Sequence, residues 1–241
     1  MSPLSSPHAN QVKAELAGLA SPEKAAHLSR FFKTGPGQYG EGDRFIGVRV
    51  PDQRRVAKRH SGLALKEIDR LLASPLHEHR LTGLLILVGR YAKTMEAAAR
   101  REIVDFYLAR LDRVNNWDLV DLSAPKILGE HLVRHPEESN ILFAMVQSAN
   151  LWERRVAVLA TWPMIKEGQC GELLALAESL LGDTHDLMHK AVGWMLREAG
   201  KVDLAVLEGF LAKHAGAMPR TMLRYAIERL DAERRRHYMG R

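Results

Sequence analysis

Trp117 and Asp121 stand four residues apart in VNNWDLVDLSAPKILGEHL (114–132). On a helix that spacing puts both on one face, a single turn from each other, with Asp118 about 100° away. An indole face attracts a cation, and so does a carboxylate. The pair therefore suits a substrate that is positively charged, or becomes so in its transition state. It also fits a packed Trp with an Asp that caps or salt-bridges. Two later segments add to it. SANLWERRVAVLA (148–160) places Arg154 and Arg155 at the start of an apolar helix, and KAVGWMLREAGK (190–201) places Trp194 on a further helix, directly after Gly193. If these helices stack as successive repeats, Trp117, Asp121, Arg155 and Trp194 converge on one concave surface. Singly, Arg155 also fits a surface cation and Trp194 a packed core residue.

The elements that would position these residues are helical. Aromatic residues are 6% of the chain, and β-branched alternation is nearly absent. Apolar positions recur at three-to-four spacing over 81–93, 117–132, 154–165, 189–201 and 220–230. Breaks fall at Ser21-Pro22, Ser74-Pro75, His135-Pro136, Gly182-Asp183 and Met218-Pro219. Ser21-Pro22-Glu23 carries an N-cap serine and a proline at the first helical position. A basic or aromatic residue followed by a small-apolar run returns at Arg80, Trp117, Arg155, Lys190 and Arg224, at intervals of 37, 38, 35 and 34. Periods of this size belong to paired-helix solenoids, because one helix pair cannot bury its apolar face without a neighbour. The expectation is an all-α, curved solenoid of HEAT-like helical repeats forming one domain over 1–241, with residues 1–10 flexible.

TGPGQYGEGDR (34–44) breaks the pattern as a Gly-rich surface loop. It matches neither GxxxxGK[ST] nor GxGxxG, and no strand precedes it, so a nucleotide cradle is not expected there. Eleven histidines are scattered without an HExxH, and His77 with His79 does not form a metal-ligand pair on a helix face. The single cysteine, Cys170, excludes an internal disulfide and a Cys-cluster zinc site, and its place in EGQCGEL reads as an inert inter-helix turn. No cofactor and no metal are expected.

The chain has 241 residues, 46% hydrophobic and 27% charged, which excludes wholesale disorder. No apolar run approaches the roughly 20 residues of a membrane span, and the N-terminus lacks a signal-peptide pattern. A reducing, cytoplasmic setting without membrane contact is expected. The net charge of +6 is uneven: residues 1–60 carry +5, residues 220–241 carry +4, and the body between them −3. Two basic ends around a slightly acidic body suit a polyanion as well as a solvated surface. RVPDQRRVAKRH (49–60) and the tail ERRRHYMGR supply the candidates for phosphate contact.

Taken in order, VNNWDLVDLSAPKILG, LWERRVAVLATW, HKAVGWMLREAGK and MPRTMLRYAIERL resemble the AlkD-type DNA alkylation repair glycosylases. SPEKAAHLSRFFKTGPGQYGEGDRFIGVRVPDQRRVAK fits the same family, and the resemblance runs from about residue 10 to 230. It implies a right-handed α-solenoid holding duplex DNA with alkylated bases in a basic concave face, acting as a monomer in the bacterial cytoplasm. It also implies excision of cationic N-alkylated purines of the 3-methyladenine and 7-methylguanine type, without extrusion of the base into a pocket. Carried over residue by residue, the catalytic aspartate matches Asp121, the indoles that flank the lesion's deoxyribose match Trp117 and Trp194, and the DNA-gripping arginine matches Arg155. Further DNA contacts are expected from Arg154, Lys190, Arg197, Arg49, Arg54, Arg55, Lys58 and Phe31. At Phe31 family members have a tyrosine, so a hydroxyl contact to phosphate is missing, and nearby Tyr39 is the residue that could restore it. The same scaffold also suits a non-catalytic DNA-binding paralogue or a protein-binding helical repeat.

Overall fold

The computed structural model describes residues 8–240. Residues 1–7 of the segment expected to be flexible lie outside the described residues, while Ala9 and Asn10 already belong to the first helix. The chain is all-α. Among the described residues no strand forms, and an isolated bridge pairs Arg44 with Leu76. No helix among them is long and apolar enough to cross a membrane. The chain divides into two compact units between Ser123 and Ala124.

The first unit holds α1 (Ala9–Ala17), α2 (Pro22–Phe31), α3 (Val50–Arg59), α4 (Leu65–Leu72), α5 (His77–Lys93), α6 (Ala97–Leu108) and α7 (Trp117–Ser123). Helix α2 starts as its sequence dictates: the Ser21 hydroxyl accepts the Lys24 N–H, and Pro22 occupies the first turn. Helix α5 is the axis of this unit, with α3, α4 and α7 packed on it. Val56, Ile68, Leu71, Leu84, Leu87, Ile103 and Leu119 fill the space between. Each buried aliphatic side chain of this kind contributes about 1.5–3 kcal/mol.

The second unit begins with a π-helical turn, Pro125–Gly129, and continues through α8 (Glu130–Arg134), α9 (Asn140–Val146), α10 (Leu151–Lys166), α11 (Gly171–Ser179), α12 (Asp186–Val202), α13 (Leu204–His214), α14 (Arg220–Ala226) and α15 (Ala232–Met239). The single helix expected over 117–132 is thus not uniform. Pro125 has no N–H to give and crowds the carbonyl four residues back, and the wider turn is closed by the Gly129 N–H on Ala124 O at 2.9 Å. Asn150 and Asp203 cap α10 and α13 through Trp152 N–H and Ala205 N–H, each at 2.9 Å. Helix α12 packs on α10 and on α14. The crossing with α14 is close at Gly193, where a Cβ would run into the Met222 carbonyl and come within 2.6 Å of the Tyr225 Cβ. A side chain there would force the two helices apart.

The repeat read in the sequence is present in both units. Arg80 lies on α5, Trp117 opens α7, and Arg155, Lys190 and Arg224 lie on α10, α12 and α14. Within each unit these helices pack against one another: α5 with α7, and α10 with α12 with α14. This is the arrangement of a helical-repeat fold. The last expected helix, over 220–230, is shorter, ending at Ala226 with a turn closed by the Leu230 N–H on Ile227 O.

Candidate functional site

In the first unit α7 presents Trp117 and Asp121, both half-buried, four residues apart on one helical face. The indole belongs to a run of rings. Trp117 stacks on Phe32 with centroids 5.3 Å apart, Phe32 on Phe45 at 5.0 Å, and Phe45 on the His77 imidazole at 4.6 Å. Phe31, 55% exposed, meets the Trp117 ring edge-on at 6.0 Å. Three expected site residues therefore share one surface. Tyr39 is tied into it too, since its hydroxyl donates to the Phe31 carbonyl at 3.3 Å.

The start of α7 is held by a buried polar cluster. Asn116, fully buried, accepts the Trp117 N–H on its Oδ1 at 2.8 Å and donates through Nδ2 to Asp43 Oδ2 at 2.8 Å. Asp43 sits at the end of the Gly-rich loop and also takes Arg80 and His77 Nδ1, the latter at 3.0 Å. His77 Nε2 reaches Asp118 Oδ2 at 2.8 Å. Burial alone would push the His77 pKa down. Asp118 and Asp43 outweigh it and raise the group to about 9, so the imidazole is charged at neutral pH. Asp43 is held below the ordinary carboxylate range: burial acts upward, but the hydrogen bond from His77 and the charge of Arg80 outweigh it.

The loop before α3 is fastened in a similar way. Gly47 has φ +83°, and a Cβ there would collide with the Ser21 carbonyl. The buried Glu78 carboxylate accepts the N–H groups of Ile46, Gly47 and Val48 at 2.7 to 3.3 Å. Beside it lies a cavity of about 230 Å³ lined by Lys24, Phe32, Phe45, Arg49, His77 and Asp118 among others. The expected phosphate-contacting cations cluster on and beside α3. Arg49 and Arg55 both pair with Asp52, whose pKa their hydrogen bonds and charges lower, Arg49 foremost. Arg54 and Lys58 are exposed, make no ion pair among the described residues, and line a groove of about 190 Å³ with Lys93.

In the second unit Trp194 is half-buried, donates its indole N–H to Glu198 at 3.1 Å and meets Trp162 edge-on at 5.1 Å. Arg155 is 4% exposed and donates to the Leu187 carbonyl at 2.7 Å. Arg154 is engaged by Asp183 at 2.9 Å and by the carbonyls of Ser148 and Ala149. Lys190 pairs with Asp186 at 2.7 Å, and Arg197 with Glu228. Cys170 is buried and free, and burial with the nearby Asp203 raises its pKa, which favours the unreactive thiol.

Residues 12–230 match the model of the DNA alkylation repair enzyme family. The chain belongs to that family. Its role is in the repair of alkylated DNA, and DNA is the substrate of the family's work. A solved structure from Enterococcus faecalis, described as a predicted DNA alkylation repair enzyme, superposes with a TM-score of 0.70. The two are 18% identical over 88% of this chain and 97% of that one, so the likeness speaks for the fold. No curated protein matches the sequence.

Of the residues that hold this site, Asp43 and Asn116 draw no attention in the sequence, and His77, Arg80 and Asp118 stand out there only as a scattered histidine, a repeat position and the off-face neighbour of Trp117. A signal was available. HEHR (77–80) is a polar run opening the apolar helix α5, and all four side chains are buried. Polar groups in such a place need partners inside the fold.

Proposed function

We propose that the protein is an alkylpurine DNA glycosylase that hydrolyses the N-glycosidic bond of cationic N-alkylated purines in duplex DNA and leaves an abasic site. Support comes first from the face of α7, where a half-buried carboxylate, Asp121, accompanies a half-buried indole, Trp117, in a chain whose family repairs alkylated DNA. An alkylated purine already carries positive charge and leaves without a general acid. As the bond from C1′ to the base nitrogen breaks, its electron pair neutralises the base and the sugar takes on oxocarbenium character. Asp121 stabilises that cation and orients the water that adds to C1′, taking up the proton the water loses. The Trp117 ring adds cation–π attraction and keeps solvent away from the carboxylate. In the second unit Trp194 and Arg155 are the corresponding candidates for contact with the sugar and the backbone. On and beside α3, Arg49, Arg54, Arg55 and Lys58 bind phosphates, which makes affinity fall with salt.

The test is release of 7-methylguanine from methylated duplex DNA. Asp121→Asn is expected to slow release by about a hundredfold or more with duplex affinity retained. Unchanged release in Asp121→Asn sinks the mechanism. Salt-dependent duplex binding with no release by the wild type favours the non-catalytic reading, for which the missing hydroxyl at the exposed Phe31 is the motivating feature.

A further inference from the structure

We infer that His77 is a positioning residue: held between Asp43 and Asp118, it sets where α7 presents Trp117 and Asp121. The inference rests on the reading of α7 as the catalytic helix. Asp118 has one hydrogen-bond partner among the described residues, His77 Nε2 at 2.8 Å, and its other oxygen is buried without one. The acidic residue next to Trp117 is thus anchored through this imidazole alone. On its other side the ring meets Asp43, which also binds Arg80 and the Asn116 amide, and Asn116 in turn receives the Trp117 N–H. One route to the first turn of α7 passes through this side chain, itself 2% exposed, and the other passes through Asp43, which the same ring helps Arg80 to hold.

An imidazole has two N–H donors only while it is charged. Deprotonation leaves one carboxylate facing a lone pair and withdraws one of the two clamps. Other charged groups around the ring do not replace it. Glu78 is occupied by three backbone N–H groups and Arg80 by Asp43 and the Ser74 carbonyl, while Lys24, His27 and Arg49 line the adjoining cavity. Neutral His77 therefore loosens α7 without disturbing the cations on and beside α3 that would hold DNA. Trp117 reports the change, because it stacks on Phe32, whose ring lies 5.1 Å from that of His77.

Two measurements test this on the full chain. Intrinsic tryptophan fluorescence of the wild type is followed from pH 6 to 10. A transition near pH 9 is expected, absent in Trp117→Phe and in His77→Gln, and moved down by about one pH unit or more in Asp118→Asn. Base release from methylated duplex is expected to slow about tenfold in His77→Gln, with affinity for unmodified duplex nearly unchanged. Absence of the transition in the wild type, or its persistence in His77→Gln, overturns the proposal, as does unaltered release in that variant. Asp118→Asn keeps the ring in place and decides the matter if His77→Gln does not fold. If the wild type releases no base, the glycosylase reading fails by itself, and the fluorescence arm still decides the clamp.

Discussion

Twelve of the fifteen buried polar or charged side chains among the described residues lie in the first unit, and three, His131, Arg155 and Thr161, lie in the second. The first unit fixes its candidate residues by directional bonds: Asn116 and His77 hold the start of α7, and Glu78 holds the loop before α3. The second fixes Trp194 by close approach, on a helix whose Gly193 admits no side chain against α14. Directional bonds depend on protonation and tolerate small changes of volume. Steric contact behaves the opposite way. The start of α7 is therefore open to a change of pH, and the crossing at Gly193 to a change of volume.

The largest expected effect is at Glu78. Glu78→Ala strips three backbone N–H groups of their acceptor and costs about 3 kcal/mol or more, which lowers Tm by about 6 °C or more. Thermal melts followed by circular dichroism check this, with Glu78→Gln expected to lose less. A loss below 1 kcal/mol in Glu78→Ala would remove the first half of the contrast. Gly193→Ala comes next, at about 2 kcal/mol from overpacking. Because no titrating partner is involved, its Tm deficit should be the same at pH 5.5 and 8.5, and a pH-dependent deficit would break the second half.

A smaller effect concerns pH itself. His77, raised to about 9, contributes stability fully below the unfolded value near 6.5, and that contribution is lost as pH rises through 9. His79 shows the reverse. Burial, with the charges of Lys13 and Arg80, depresses it to about 4, so its contribution is present above 6.5 and is lost as pH falls through 4. Global stability should thus be greatest near pH 6.5, and a His77→Gln, His79→Gln double variant should flatten the profile. A profile unchanged in that variant would contradict the assignment. Smallest of all for the fold is Arg54→Ala with Lys58→Ala, expected to shift stability by less than about 0.5 kcal/mol. In duplex binding the same pair should reduce the slope of log affinity against log salt by about 2. An unaltered slope would take that groove out of the DNA footprint.

Periodicity made the fold legible most openly in α12, whose buried positions recur at three-to-four spacing. By contrast, α5 and α10 read as helices by the length of their apolar runs and are buried nearly all round. The π-helical turn was hidden for the same reason. Its residues keep the apolar character of a helix, and Pro125 alone betrays it. At the site, Trp117 and Asp121 could be paired by spacing within one helix. Asp43 with Asn116 could not, since 73 residues separate them. His77 looked like one scattered histidine because its partners come from the Gly-rich loop and from α7. The loop itself read as mere surface, yet it ends in Asp43, one of the most enclosed carboxylates in the unit.

Long separations also set an order of assembly. The bonds from Glu78 to residues 46–48 span about 30 residues, His77 to Asp118 spans 41, and Asn116 to Asp43 spans 73. Local helices close long before loops of that length. On a growing chain, His77, Glu78 and Arg80 can fasten residues 43–48 once α5 is made, whereas the bonds from Asn116 and Asp118 wait until α7 has been synthesised. The start of α7 is thus among the last parts of the first unit to be fastened. A nascent chain halted before residue 116 carries all the basic residues of the α3 segment but neither Trp117 nor Asp121, so the proposed phosphate contacts and the proposed carboxylate arrive at separate stages of synthesis.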